Sequence, residues 1–278
     1  MKTQRVIDVL LLSALICLGS CKKDTKENTL QPLGQLTTTA RLSFTDNQIN
    51  EGIATALDAA DGTEDGSSDI RPVNCADIVL NSYLKTITID FGGGCVNPIT
   101  GRLRSGRITV GYNGDTYTTS TERTISFENF RFEDTLSMNG TFTQSNITRG
   151  NNKVNFSLST TDFVFGFPGG RTQNLSGYNR NFIVDLGKDT RDISDNIVTV
   201  SGDMNGVNEE GEPYSVTITN PVVFNGACAA GHIFYPVSGA YDVRVGGKSK
   251  FNVSWGNGNC DKLVTISYPG NTIDVALK

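Results

Sequence analysis

Histidine and tryptophan are almost missing from this 278-residue chain, which holds one of each, His232 and Trp255. Nucleophilic catalysis by Ser or Cys normally needs a base to take the proton, and His232 is the one conventional candidate. It sits in Gly231-His-Ile-Phe-Tyr-Pro236, four residues after Cys228, where a structural or exposed role is the better reading. The patterns G-x-S-x-G, H-E-x-x-H and Walker A are absent. Gly92-Gly93-Gly94 follows a strand-like run, but Pro98 and a loop come next rather than a helix. That removes the helix N-terminus a phosphate cradle needs. No catalytic residue and no cofactor is assigned. Paired carboxylates for hydrolysis stay open, because their separation is spatial.

Positive charge is scarce as well. The net charge is −5, and close to −6 once residues 1–20 are set aside. This argues against nucleic acid, which draws a basic footprint, and gives no electrostatic reason to lie on anionic lipid. The apolar run Val9 to Leu18 is shorter than the roughly 20 residues that cross a bilayer, and no later segment is apolar enough to cross. Helix formers are sparse, while Thr, Ser, Asn, Gly and Val favour strands and turns.

What is present begins with an export signal over residues 1–20: Lys2 and Arg5, then the short apolar run. Leu18-Gly19-Ser20-Cys21 resembles the lipobox of bacterial lipoproteins. The resemblance implies cleavage before Cys21, a diacylglycerol on its thiol and an acylated amine. Two or three acyl chains, at about 0.8 kcal/mol per buried CH₂, hold a protein on a membrane. Asp8 departs from the pattern, since a charge within the apolar region is unusual, and it marks one reading of where the n-region ends. Residues 21–40 read as a polar tether. The position after Cys21 is Lys22 rather than Asp, so the inner-membrane retention signal of enteric bacteria is absent. Lys22-Lys23-Asp24 loosely resembles the surface-export signal of Bacteroidota lipoproteins. The membrane, reached through the N-terminal lipid, is the one partner expected; a glycan or protein partner is left unknown.

Cys17 leaves with the signal and Cys21 carries lipid, so Cys75, Cys95, Cys228 and Cys260 remain for residues 41–278. An even number in an oxidising compartment favours disulfides. Of three pairings, Cys75–Cys95 and Cys228–Cys260 join cysteines that are close in sequence and similarly surrounded. With no C-x₂-C spacing, a metal site is the weaker alternative.

One short N-terminal helix is expected. Thr45 and Gln48 form a capping box, Ile49, Ile53 and Leu57 share a face widened by Ala56 and Ala60, and Gly62 stops it. After Leu80 the apolar residues alternate: Ile87/Ile89/Phe91, Ile108/Val110/Tyr112, Ile125/Phe127, Val154/Phe156/Leu158, Phe182/Val184/Leu186, and on through Tyr241/Val243/Val245, Phe251/Val253/Trp255, Val264/Ile266/Tyr268 and Ile273/Val275/Leu277. The parity slips by one between Phe127 and Phe130, which predicts a β-bulge near Asn129. Asn113-Gly114, Gly246-Gly247 and Pro269-Gly270 predict turns, while Asn139-Gly140 is either a turn or part of a strand. About a dozen strands follow, too many for one flat sheet. The expected fold is all-β: an antiparallel meander forming a sandwich or a strongly curled sheet. Ile87–Cys95 echoes Phe251–Cys260, so two related β modules, about 70–145 and 222–278, stand beside the reading of a single β domain.

Asp90-Phe-Gly-Gly-Gly-Cys95, Gly101-Arg-Leu-Arg-Ser-Gly-Arg-Ile108 and Phe251…Trp255-Gly-Asn-Gly-Asn-Cys-Asp261 resemble segments of a group of uncharacterised Bacteroidota outer-membrane lipoproteins. The resemblance implies an outer-membrane address and a Cys-bearing β domain, and brings no activity with it. Three smaller sites complete the reading. Asp61, Thr63, Asp65 and Asp69 place oxygens like the start of a calcium loop, but Pro72 stands where a bidentate Glu belongs, so a solvated acidic loop is preferred. Asp134-Thr135-Leu136 resembles the Bacteroidota O-glycosylation acceptor, with Thr135 as its oxygen. Phe163, Phe165 and Phe167 either line a cavity for an apolar ligand or fill an ordinary core, with the core preferred. The expected function is a non-catalytic, lipid-anchored outer-membrane protein, surface-exposed, that binds or scaffolds a ligand. The alternatives are a periplasm-facing carrier of a lipid or other apolar ligand, and a hydrolase.

Overall fold

The computed structural model describes residues 42, 45, 46, 48–57, 59, 60, 75–96, 103–132, 136–188, 193–230, 235–248 and 250–276. From residue 45 onward these belong to one compact unit. Its strands are β1 (Asp77–Asn81), β2 (Thr86–Asp90), β3 (Cys95–Val96), β4 (Leu103–Tyr112), β5 (Arg123–Phe132), β6 (Leu136–Gly150), β7 (Lys153–Thr160), β8 (Phe163–Gly166), β9 (Thr172–Asp185), β10 (Ile197–Val207), β11 (Pro213–Asn225), β12 (Ser238–Val245), β13 (Phe251–Asn257), β14 (Leu263–Tyr268) and β15 (Asn271–Ala276). Helix α1 comprises the helical residues among 45–60, and a five-residue helix, α2 (Gly226–Ala230), follows β11.

All fifteen strands join one antiparallel sheet, in which chain order is nearly spatial order. β7 and β8 lie end to end between β6 and β9, and β3 extends β2 along β4. The ladder is thus a meander, the connection that short turns permit. It is the all-β class expected, in one continuous hydrogen-bonded layer.

Alternation along these strands sends one set of side chains to a common inner face. Ile87, Ile89, Ile108, Val110, Ile125, Phe127, Phe142, Phe163, Phe165, Val243, Val253 and Val264 are all buried there. A helix of about sixteen residues is roughly 24 Å long, whereas thirteen strands side by side would span roughly 60 Å if flat. The sheet therefore curls to bury this face, as large twisted sheets do.

Helix α1 packs on the inner face. Its buried residues, 45, 48, 49, 52, 53, 55, 56, 59 and 60, occupy an arc of roughly 160° at 100° per residue, and the exposed Ala54 lies opposite. The arc centres on Thr45, flanked by Gly52 and Ala56, so Leu57 lies just past its margin, half-buried. The pattern of bulky residues pointed toward Leu57; the small ones decide, because they allow close approach. A Cβ on Gly52 would lie 3.1 Å from both the Met138 Cε and a Phe127 ring carbon. Gly52→Leu is expected to destabilise the protein by about 1–3 kcal/mol through overpacking, measured as a lower urea midpoint at unchanged slope. A neutral effect would show that α1 docks elsewhere. Thr45 is itself helical and its hydroxyl accepts from Gln173 Nε2 at 3.2 Å. It is a packing residue within the helix, not the cap that the sequence suggested.

The bulge at Asn129 is present: pairing shifts between Phe127 and Phe130, and Asn129 has φ 48°. Its amide donates to Asn139 Oδ1 at 2.8 Å. Asn139-Gly140 is therefore strand, not turn, since Asn139 completes the neighbouring bulge. On the other side Gly106 (φ 84°) is required, because a Cβ there would lie 2.2 Å from the Asn129 carbonyl oxygen.

Both disulfides form as paired in the sequence reading. Cys75–Cys95 and Cys228–Cys260 have Cα separations of 5.4 and 5.3 Å, within the range that the bond requires. One encloses β1 and β2, the other β12 and β13. The two stretches that echo each other are thus matched hairpins near opposite ends of a single sheet.

Candidate functional site

Buried polar side chains on the inner face mark the site. On β9 the inward positions read Gln173, Leu175, then Tyr178, Arg180 and Phe182 after a one-residue slip, and all five are buried. The slip is a bulge against β10 between Asn205 and Gly206. Arg180 is thereby carried onto the buried face, 1% exposed. Its neighbours in the ladder are Leu158 on β7 and Gly202 on β10. One strand beyond Leu158 lies Gln144 on β6, also buried. Gly202 contributes no side chain, so the guanidinium has apolar surface on one flank and only backbone on the other.

Helix α1 supplies the polar partners. Tyr178 donates its hydroxyl to Asp46 Oδ1 at 3.2 Å. Gln173 Nε2 donates to Thr45 Oγ1 and to the Tyr214 hydroxyl, at 3.2 and 3.0 Å. Arg180 Nη2 lies 3.7 Å from Asp46 Oδ2, an ion pair beyond hydrogen-bond reach. Arg180 Nε and Nη1 and the Gln144 side-chain oxygen have no hydrogen-bond partner. Such groups are rare in folded proteins and call for an explanation.

Burial, and secondarily the Asp46 carboxylate, hold the Tyr178 phenol protonated far above its usual range, with Arg180 opposing. Burial pushes the Tyr214 phenol up as well, against the hydrogen bond from Gln173. A phenol whose folded pKa is raised contributes stability that is complete below its unfolded value near 10 and is lost as pH rises above it. Above pH 10 each of the two should lower the folding equilibrium constant by about tenfold per pH unit, until its folded pKa is reached. Tyr178→Phe is expected to remove about one tenfold step per unit from that slope in urea titrations from pH 9 to 11.5. An unchanged slope would mean that Tyr178 titrates freely.

Beyond Arg180 the same face is apolar and only part-covered. Phe182 and Val200 are buried, whereas Val154, Phe156, Val184 and Val198 are half-buried. The rings of Phe156 and Phe182 stack at 4.8 Å. Phe163 and Phe165, by contrast, are fully buried in the aromatic cluster with Phe127 and Phe142, and Phe167 is half-buried past the end of β8.

Several predicted positions lie outside the described residues: Cys21, the acidic-loop set Asp61, Thr63, Asp65 and Asp69, the acceptor Thr135, and His232. Trp255 is buried, as its parity with Phe251 and Val253 required, and Tyr117 and Tyr178 are core residues. Among the described residues no cluster of three His, Cys, Asp or Glu could hold a metal ion, and no helix is long and apolar enough to cross a membrane. Arg180, Gln144 and Gln173 escaped the sequence reading. A signal was available for Gln144, which shares the parity of Phe142, and for Arg180, which shares that of Tyr178 and Phe182, but not for Gln173.

The chain matches no family model, no curated protein and no solved structure.

Proposed function

We propose that this chain is a non-catalytic lipoprotein of the outer membrane, held by lipid on Cys21, whose β domain binds an apolar ligand. The observation that carries the binding role is the half-buried strip Val154, Phe156, Val184 and Val198, continuous with the buried inner face. A contiguous apolar surface left partly open is the usual sign of a ligand or partner. The lipobox-like Leu18-Gly19-Ser20-Cys21 supports the anchor. Two disulfides support an oxidising compartment, where such bonds persist.

The test is organic extraction and mass spectrometry of protein purified from its native envelope. Co-purifying aliphatic molecules near one per chain, lost in Phe156→Ser, support the reading; their absence overturns it. Protease shaving of intact cells, wild type against Cys21→Ala, tests the anchor and its facing. Shaving of wild type alone supports a surface location, and protection until the outer membrane is opened supports a periplasm-facing carrier.

A second reading, a surface scaffold for a protein or glycan, is favoured by the free edge of β1. Val79 on β1 is 60% exposed, and Tyr83 and Leu84 in the turn that follows are 93% and 62% exposed; among the described residues β1 has a partner strand on one side only.

A further inference from the structure

We infer that the ligand is an amphipathic carboxylate, its head on Arg180 and its aliphatic tail along Phe182, Phe156, Val184 and Val154; this rests on the binding role proposed above.

The head group follows from the state of Arg180. A guanidinium carries five N–H donors, and one buried without acceptors is costly. At 1% exposure its Nε and Nη1 have no partner. Asp46 Oδ2 stops at 3.7 Å from the remaining nitrogen, and its other oxygen already accepts from Tyr178. The pair therefore neutralises charge while leaving Nε and Nη1 unused. A carboxylate reaching Nε and Nη1 would accept from them in the charge-assisted geometry that Arg favours. A cationic head would leave those donors unpaired, and a neutral hydroxyl or an ordered water could accept from them only without charge assistance.

The tail follows from what adjoins Arg180 on the face. Phe182 and Val184 are the next inward positions on β9, and Phe156 and Val154 pair with them from β7. From Arg180 to Val184 is about 14 Å at 3.4 Å per residue, bordered by Val200 and Val198 on β10. Among the described residues the one charged side chain beside that stretch is Arg149, opposite Val154 on β6 at the exposed end, where it donates to the Ser120 carbonyl. Burial falls along it, from Arg180 through the buried Phe182 to the half-buried Val184. The polar head thus belongs at the deep end and the tail toward solvent. That polarity excludes a ligand whose charged group must stay hydrated.

The experiment is calorimetric titration of the full chain, stripped of bound lipid, with dodecanoate, dodecanol and dodecyltrimethylammonium, each below its aggregation limit. Dodecanoate is expected to bind at least about tenfold more tightly than dodecanol, the scale of charge-assisted hydrogen bonds, and the cation least. Arg180→Met keeps the unbranched apolar stem without the guanidinium and should erase that preference while leaving the urea midpoint no lower. Equal binding of dodecanoate and dodecanol overturns the carboxylate assignment and leaves apolar binding standing. So does a preference that survives in Arg180→Met. Failure of all three to bind overturns both. The ligand series alone decides the matter if the variant does not fold.

Discussion

Phe163→Ala is expected to lower the unfolding free energy by about 3–5 kcal/mol, the range for removing a fully buried aromatic ring. Phe163 is 0% exposed and sits at the centre of a ring network, with centroids 4.6 Å from Phe142, 5.2 Å from Phe165 and 5.7 Å from Phe127. The approach to Phe127 depends on Gly140, which stands between the two phenylalanines in the ladder and has no side chain to separate them. The gap left by alanine cannot close easily. Its walls are strand residues fixed by hydrogen bonds on both sides, and Phe127 is also held by α1 at Gly52. A cavity that fails to collapse puts the cost at the upper end of the range. Phe156→Ala gives the contrast: its ring is half-buried at the rim, and about 1 kcal/mol is expected from lost apolar contact. Urea unfolding of the two variants measures both numbers. A cost below about 1 kcal/mol for Phe163→Ala would mean that the cluster is loosely packed, and the firm floor under α1 argued above would be lost.

The contrast also shows what the chain's residues disclose and what they withhold. Strand alternation is a local property with a period of two, so Ile87/Ile89, Phe251/Val253/Trp255 and the slip at Asn129 were legible without any tertiary knowledge. The pairing of the cysteines was legible for a related reason: in a meander, neighbours in sequence are neighbours in space, and each bond closes one hairpin. The candidate site was far less visible. Arg180 shares the parity of Phe182, but Gln173 is separated from that run by the bulge on β9, and the bulge is a feature of the pairing with β10. The same limit applied to Asn139-Gly140. The dipeptide has turn chemistry, but its Asn side chain is consumed by the bulge on the adjacent strand. Whether the layer would close as a sandwich or a curl also lay beyond local pattern. Both use the same alternation, and the difference resides in which strands share hydrogen bonds.

Removing the disulfides is expected to have the largest effect of all. The loops they close, with sequence separations of 20 and 32 residues, correspond to about 3 and about 4 kcal/mol of loop-closure entropy. The two hairpins lie near opposite ends of the sheet, so the losses should add to about 7 kcal/mol. A domain's whole stability is about 5–15 kcal/mol, so the doubly reduced chain should be largely unfolded at growth temperature or close to it. The single removals should differ in kind. Cys75–Cys95 ties down β1, which among the described residues has a ladder on one side only and exposes Val79 and Leu80. Cys75→Ser/Cys95→Ala should therefore fray β1, seen as fast amide exchange at Ile78 and Leu80 while the inner strands stay protected. Cys228 is buried at 1% in α2, and β12 and β13 each have neighbours on both sides. Cys228→Ala/Cys260→Ser should accordingly lower the global urea midpoint. If instead the first pair lowers global stability and leaves β1 protected, the edge is held by something other than its bond, and a strand from a partner becomes the explanation for its exposed Val79 and Tyr83.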